Sequence, residues 1–277
     1  MKRLCRYVRA ASVAGLLAGG LCFASAETPA GAPTLTGEEI MRRTVERVES
    51  PACSTNRPDY EYQKHTVRED LDKKGRLREH KEKLYNVEVH SGLSLLKLVE
   101  IDGQPLAGAE LAKQQERDTA ERAKWVDSKP DKRGDNRENF LTMDLVSRYK
   151  FTVADKKMLK GRMTYVLNFE PKSANLPIKK LPDRLVNHIA GTVWVDAEDF
   201  EIARADVHLE AEVEMWGGII GTLRRCDFSF FRSRMDDGVW FNSFSHGVFE
   251  GRKLLEPFLI KYMSESSDFR RHALAKN

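Results

Sequence analysis

Hydrophobic and polar positions alternate most regularly over Gly191–Leu209, GTVWVDAEDFEIARADVHL. Val193 and Val195 fall on one side, and Thr192, Trp194 and Asp196 on the other, the period of two expected of a half-buried strand. Ala197-Glu198-Asp199 is short and turn-prone. On the return, Ala203, Ala205, Val207 and Leu209 share one face, and Arg204, Asp206 and His208 share the other. Two faces of different chemistry predict paired antiparallel strands with one side on a core and the other in water.

Before this hairpin the period changes more than once. Thr36 and Glu39 have capping-box spacing. Ile40, Met41, Thr44, Val45 and Val48 then recur at helical spacing until Pro51. Tyr60–Leu71 and Arg76–His90 predict two long charged strands around Asp72-Lys73-Lys74-Gly75, each with at least one solvated face. Leu95–Ile101 predicts a third, ended by Asp102-Gly103-Gln104-Pro105. Gly108–Trp125 is rich in helix formers but poor in apolar positions, which predicts a weakly anchored surface helix. Ser128–Glu138 reads as a polar loop and Asn139–Arg148 as another short helix.

From Tyr149 onward strands recur. Tyr149–Val153 and Met163–Glu170 flank a Lys160-Gly161-Arg162 turn. Leu181–Ile189 predicts a short helix bringing Leu181, Leu185, Val186 and Ile189 together. After the hairpin come a return strand through Phe228 and Phe230, with Cys226 at its margin, an Asp236-Asp237-Gly238 turn, and strands over Val239–Glu250 and Phe258–Met263. The series predicts an α+β fold: a large, curved antiparallel sheet with a few helices packed on one side.

The Gly191-x-Val193-Trp194-Val195-Asp196 strand, the turn with Phe200, and the return strand carrying Ile202 and Arg204 resemble the outer-membrane lipoprotein-sorting proteins of the LolA-like group. The resemblance continues through Gly217-Gly218-Ile219-Ile220-Gly221 to Asp268-Phe269-Arg270, and covers about Tyr149–Arg270. It implies a half-open β-barrel whose concave face is covered by helices around an apolar cavity. The function it implies is a carrier that holds a lipid, or the acyl chains of a lipoprotein, and moves them across the periplasm. A periplasmic sensor of the same fold, binding a membrane-protein ectodomain, is the alternative.

The first 26 residues form an export signal rather than part of the fold. Lys2, Arg3, Arg6 and Arg9 precede the short apolar run Ala11–Phe23, and Ala24-Ser25-Ala26 is a cleavage site. A membrane span needs about 20 apolar residues, and lipidation at Cys22 needs a small residue where Leu21 stands. A periplasmic protein cleaved after Ala26 is expected, with a flexible leader over 27–35 and a single domain over 36–277. The whole chain has 46 Lys+Arg and 42 Asp+Glu. The signal carries four of the basic residues and no acid, so the mature chain is formally neutral and lacks the basic footprint of a nucleic-acid binder. A monomer is expected.

Cys53 and Cys226 remain after cleavage, in an oxidising compartment. A bridge between them would add about 5 kcal/mol in the chain-entropy model. Two separate thiols, with Cys226 buried beside Phe228 and Phe230, explain them equally well. The sequence has no His-Glu-x-x-His pair, nucleophile elbow, phosphate loop or dinucleotide fingerprint. His208 with Glu210, Glu212 and Glu214 could face a metal from one strand, but alternating charge on a wet edge accounts for them. Asp196, Glu198 and Asp199 lack the glycine and distal glutamate of a calcium loop, so turn chemistry accounts for them. No cofactor, metal or catalytic group is expected, and the protein is read as a non-enzyme.

The stripes Tyr165/Leu167/Phe169, Val193/Val195, Phe228/Phe230 and Phe258/Ile260/Tyr262 are the cavity candidates. Ordinary core demands the same residues at the same spacing. Leu181, Leu185, Ile189, Trp216, Ile219 and Ile220 are the candidates for a lid or mouth. Trp216 and Ile220 would otherwise be core beside a bulged turn.

Overall fold

The computed structural model describes residues 35–50, 59–90, 93–127, 141–173, 181–215, 221–254 and 256–271. The export signal, the leader through Thr34, Cys53, Trp216, Ile219 and Ile220 lie outside these residues.

The chain begins with helix α1 (Gly37–Glu49). Thr36 caps it by accepting a hydrogen bond from the Glu39 amide at 3.2 Å. The reciprocal half of the capping box is not made, because Arg42 and Arg43 hold the Glu39 carboxylate. The first meander comprises β1 (Tyr60–Leu71), β2 (Leu77–His90), β3 (Leu93–Ile101) and the short β4 (Gln104–Pro105). Gly75 turns the β1–β2 hairpin at φ 78°, where Asp72 accepts from the Lys74 and Arg76 amides. Helix α2 (Gly108–Asp127) touches β3 and is exposed along its first two turns, as its sparse apolar positions require.

The second half holds α3 (Met143–Ser147), β5 (Tyr149–Leu159), β6 (Arg162–Pro171), α4 (Leu181–Val186), β7 (Ile189–Asp196), β8 (Ile202–Leu209), β9 (Val213–Met215), β10 (Gly221–Arg234), β11 (Trp240–Lys253) and β12 (Glu256–Arg271). Three elements depart from the sequence expectation. The α4 helix stops at Val186, and Ile189 already opens β7. Helix α3 is confined to Met143–Ser147. Strand β5 runs on to Leu159 through Asp155-Lys156-Lys157; as an edge strand past the helix cover it is wet on both faces there, which erases the alternation.

All twelve strands join one antiparallel sheet, in the order β4-β3-β2-β1-β12-β11-β10-β8-β7-β6-β5, with β9 paired to β10. The sheet is open, with β4 and β5 at its two edges. The first meander is attached through β1 to β12, the last strand of the described residues.

Helices α1 and α3 lie on one face of the β5–β8 wing. Ile40, Met41 and Val45 of α1 meet Phe151, Leu167, Val193, Val195 and Ala205 in one buried cluster. Ile40, Val45, Leu167 and Val195 are wholly buried. α1 sits flush on the edge strand because residue 37 is glycine; a Cβ there would fall 2.4 Å from the Phe151 carbonyl oxygen. At its far end Arg47 approaches Glu201, which also accepts from Arg232 at 2.7 Å.

The β7–β8 turn is built around Asp196. Its carboxylate is buried and accepts from Arg162 Nε at 2.5 Å and Nη2 at 2.7 Å, and from the Glu198 and Asp199 amides at 3.0 and 2.8 Å. Burial alone would raise its pKa; the guanidinium and the two amides outweigh burial and hold it below the ordinary 3.8. Phe200 closes the turn at φ 52°, with Arg43 of α1 over its ring.

Replacing Asp196 with Asn is expected to cost about 3 kcal/mol at pH 7, since a charge-assisted pair and two amide bonds lose strength together. A carboxyl whose folded pKa is depressed stabilises fully above its unfolded value, and the contribution is lost as pH falls through the folded value. Urea midpoints should therefore show wild type losing stability below about pH 4, with a smaller loss in Asp196→Asn. Equal acid sensitivity would refute this role for Asp196.

Candidate functional site

Residues directly opposite each other in antiparallel strands share a face, so the register shows which side chains lie on the α1 side. One row runs Val153, Leu167, Val193, Ala205, Phe230, Ser245, Ser264, Thr66 and Lys83. The adjacent row runs Phe151, Phe169, Gly191, Val207, Phe228, Gly247, Tyr262, Arg68 and Lys81 over the same strands. Cys226, Phe249 and Ile260 follow in a third, and Gly251 with Phe258 beyond it. All ten cavity candidates therefore lie on one face.

Their surroundings divide them. Tyr165, Leu167, Phe169, Val193 and Val195 pack in the cluster under α1, where Leu167 and Val195 have no exposed surface. Phe228, Phe258, Ile260 and Tyr262 continue the same face across β10 and β12, past the strands that α1 covers, and remain half-buried. Phe230 stands at the boundary and touches the α1 cluster. The rings of Phe228 and Phe230 lie 6.4 Å apart, and those of Phe228 and Phe249 lie 6.3 Å apart. Gly247 brings them together: a Cβ there would come 2.9 Å from the Phe228 ring and 3.0 Å from that of Phe249. Phe249 was missed from sequence because glycines at 247 and 251 break the apolar stripe of its strand. At the far end Tyr60, Val87 and Val89 form a second buried cluster with Tyr62, Tyr85, Leu96 and Phe241 around it.

Cys226 is buried on this face and carries a free thiol; its partner candidate, Cys53, is outside the described residues. Burial, then the nearby Asp227 charge, pushes the thiol up, which keeps it protonated at neutral pH. Of the lid candidates, Leu185 and Ile189 are half-buried at α4 and the start of β7. Leu181 begins α4, and its side chain is not among those described.

The opposite face has its own hollow of about 780 Å³, lined by Thr192, Asp206, His208, Asp227 and His246 together with Ala190 and Val248. Three of its carboxylates are matched locally: Asp206 by Arg204, Asp227 by Arg225 and Glu170 by Lys150. Thr192 donates to Asn168 at 2.9 Å. His208 is not aligned with Glu210, Glu212 and Glu214, since β8 ends at Leu209 and the chain bends before β9. Among the described residues no group of three His, Cys, Asp or Glu side chains could hold a metal ion. No helix of those residues is long and apolar enough to cross a membrane.

The fold and this face define an open antiparallel sheet with helices over part of one side, the architecture implied by the LolA-like resemblance. No protein-family model matches the chain, and no curated protein matches it. Among solved structures it is similar to a LolA superfamily protein from Nitrosomonas europaea, with 10% identity, a TM-score of 0.34, and coverage of 87% of this chain and 96% of that one. A DUF1329 family protein from Desulfovibrio piger aligns at 13% identity and TM-score 0.32, covering 87% and 93%. A chain of the Pseudomonas aeruginosa MucA/MucB complex aligns at 10% identity and TM-score 0.26, covering 86% and 99%.

Proposed function

We propose that this is an exported carrier that shields the acyl part of a lipid or lipoprotein against the part of its α1-bearing face that lies outside the α1 cluster. The observation that carries the proposal is the continuation of the apolar face across β10–β12 as Phe228, Phe249, Phe258, Ile260 and Tyr262, all half-buried. The action is physical rather than chemical. Each methylene removed from water contributes about 0.8 kcal/mol, so such a surface competes with a bilayer for a chain without making or breaking a bond. The proposal includes cleavage after Ala26, a periplasmic location, and one lipid-binding domain over 36–277 acting as a monomer. A membrane protein would then donate or accept the cargo, and Leu185 and Ile189 flank one margin of the face.

The test is native mass spectrometry of the full chain expressed with its own export signal and purified from the periplasm, followed by solvent extraction. A discrete added mass that extracts as lipid is expected. A clean apo mass, with no uptake after incubation with vesicles, would overturn the carrier. A stable complex with a membrane-protein ectodomain and no lipid would favour the sensor instead.

A further inference from the structure

The α1-bearing face changes character from β12 to β1 and β2. Tyr262 is flanked in its row by Gly247 on the apolar side and by Arg68, then Lys81, on the other. The next row continues from Ser245 and Ser264 to Thr66 and Lys83, and the row beyond places Lys64 beside Tyr85. Four basic side chains and the hydroxyls of Ser245, Ser264 and Thr66 thus border the aromatic strip, each strand about 4.8 Å from the next.

Two of the four cations are already neutralised on the same face. Arg68 donates to Asp70 at 3.0 and 3.2 Å, and Lys81 to Glu79 at 3.4 Å. Lys64 and Lys83 are different. Both are half-buried, and among the described residues neither has a carboxylate within ion-pair distance. The Tyr85 phenol, pushed up chiefly by burial, feels the Lys64 charge and the Tyr262 hydroxyl. Lys64 and Tyr85 are directly paired across β1 and β2, Lys83 stands one row nearer the apolar strip, and Tyr262 follows on β12 in the next row of the same face. An unmatched pair of ammonium groups on a partly desolvated surface is complementary to an anion, and the adjoining aromatic strip is complementary to a chain attached to it.

Resting on the carrier proposal, we infer that the cargo is an anionic phospholipid, its phosphate held by Lys64 and Lys83 with Tyr85 and Tyr262 beside it, and its acyl part laid along Tyr262, Ile260 and Phe228. The geometry suits one molecule lying across the strands, headgroup over β1–β2 and chain over β12–β10. Strand β1 alternates, so His65 and Val67 face away and take no part.

The experiment is uptake by the purified full chain from vesicles of pure phosphatidylglycerol or pure phosphatidylcholine, scored as lipid recovered with protein after the vesicles are removed. Phosphatidylglycerol uptake is expected to exceed phosphatidylcholine uptake by about tenfold at low salt, and the ratio should fall as salt screens the lysines. In the double variant Lys64→Glu/Lys83→Glu the ratio should drop to about one with phosphatidylcholine uptake unchanged. Lys64→Gln/Lys83→Gln provides the milder change should the glutamates disturb folding. Equal uptake of both lipids by the wild type would overturn the inference and leave the carrier standing. No uptake of either would overturn both. An unchanged preference in the variants would remove these lysines from the site.

Discussion

Gly191→Ala is expected to lower stability by about 4 kcal/mol, far more than adding one methyl group to a strand ordinarily does. Gly191 pairs with Phe169 of β6 on one side and Val207 of β8 on the other, in the middle of the second meander. A Cβ at this position would stand 2.0 Å from the Asp206 carbonyl oxygen and 3.0 Å from the Val207 Cα. Both are backbone atoms of a paired strand, so no side-chain rotation relieves the overlap. Either β8 shifts away and weakens its hydrogen bonds, or the α1 cluster opens beside Val193 and Ala205. For a chain of this size the loss corresponds to about 8–16 °C in melting temperature. Gly75→Ala is the contrasting control. Gly75 also needs a special backbone, at φ 78°, but nothing lies within 4 Å of its Cβ position, so only about 1 kcal/mol of left-handed strain is expected. Calorimetry of the two variants decides the matter, and a Gly191→Ala midpoint within 3 °C of wild type would refute the close approach of β7 and β8.

Phe228→Asp is expected to reduce lipid uptake at least a hundredfold while leaving the fold intact. The ring is half-buried between Phe230 and Phe249 and is not part of the sealed α1 cluster. Removing it deletes contact area for a chain, and a bound chain would bury the new carboxylate unpaired, a cost of several kcal/mol. In the empty protein that carboxylate stays hydrated, which is why stability should change little. Ser229→Asp places the same charge one residue along, on the polar face, and should leave uptake unchanged. The comparison is one of lipid recovered per protein after vesicle incubation, with circular dichroism to confirm folding. Uptake by Phe228→Asp within threefold of wild type would move the chain-binding surface elsewhere. Val195 is unsuited to this experiment despite its place on the same face: it has no exposed surface, so an aspartate there would break the core.

The sequence is most legible where one face is dry and the other wet. Helix α1 and the β7–β8 hairpin are such places, and Ile40, Val45, Val193 and Val195 take the positions their spacing dictates. The parity of the ten cavity candidates is legible for the same reason. What spacing could not separate was filled core from uncovered face, since that depends on how far α1 reaches across the sheet. It lies along β5 and packs in one cluster with Leu167 and Val193, and Phe228, Phe258, Ile260 and Tyr262 are outside that cluster, a matter of helix placement rather than residue type. Lys64 and Lys83 were hidden differently. Strands β1 and β2 are charged on both faces, so no alternation marks which side turns inward; only the pairing of β1 with β12 assigns their even and odd positions. That pairing leaves no local trace, because its partners lie at opposite ends of the described chain.

The same pairing bears on how the molecule reaches its folded state. Strands β1–β4 can form a meander early, but the β1 edge that faces the rest of the sheet has no partner until β12, the last strand of the described residues, is available. Loop-closure entropy makes such distant pairing slow, on the order of milliseconds to seconds for sheet-rich topologies. During that interval β1 offers a row of unpaired backbone groups to any extended chain nearby. Under the proposed export, β1 would be exposed for as long as β12 has yet to cross the membrane. The alternating charges along Tyr60–Leu71, with lysine, arginine, aspartate and glutamate spread through it, suit that interval as well as the finished sheet, since they oppose edge-to-edge association while β1 waits for β12.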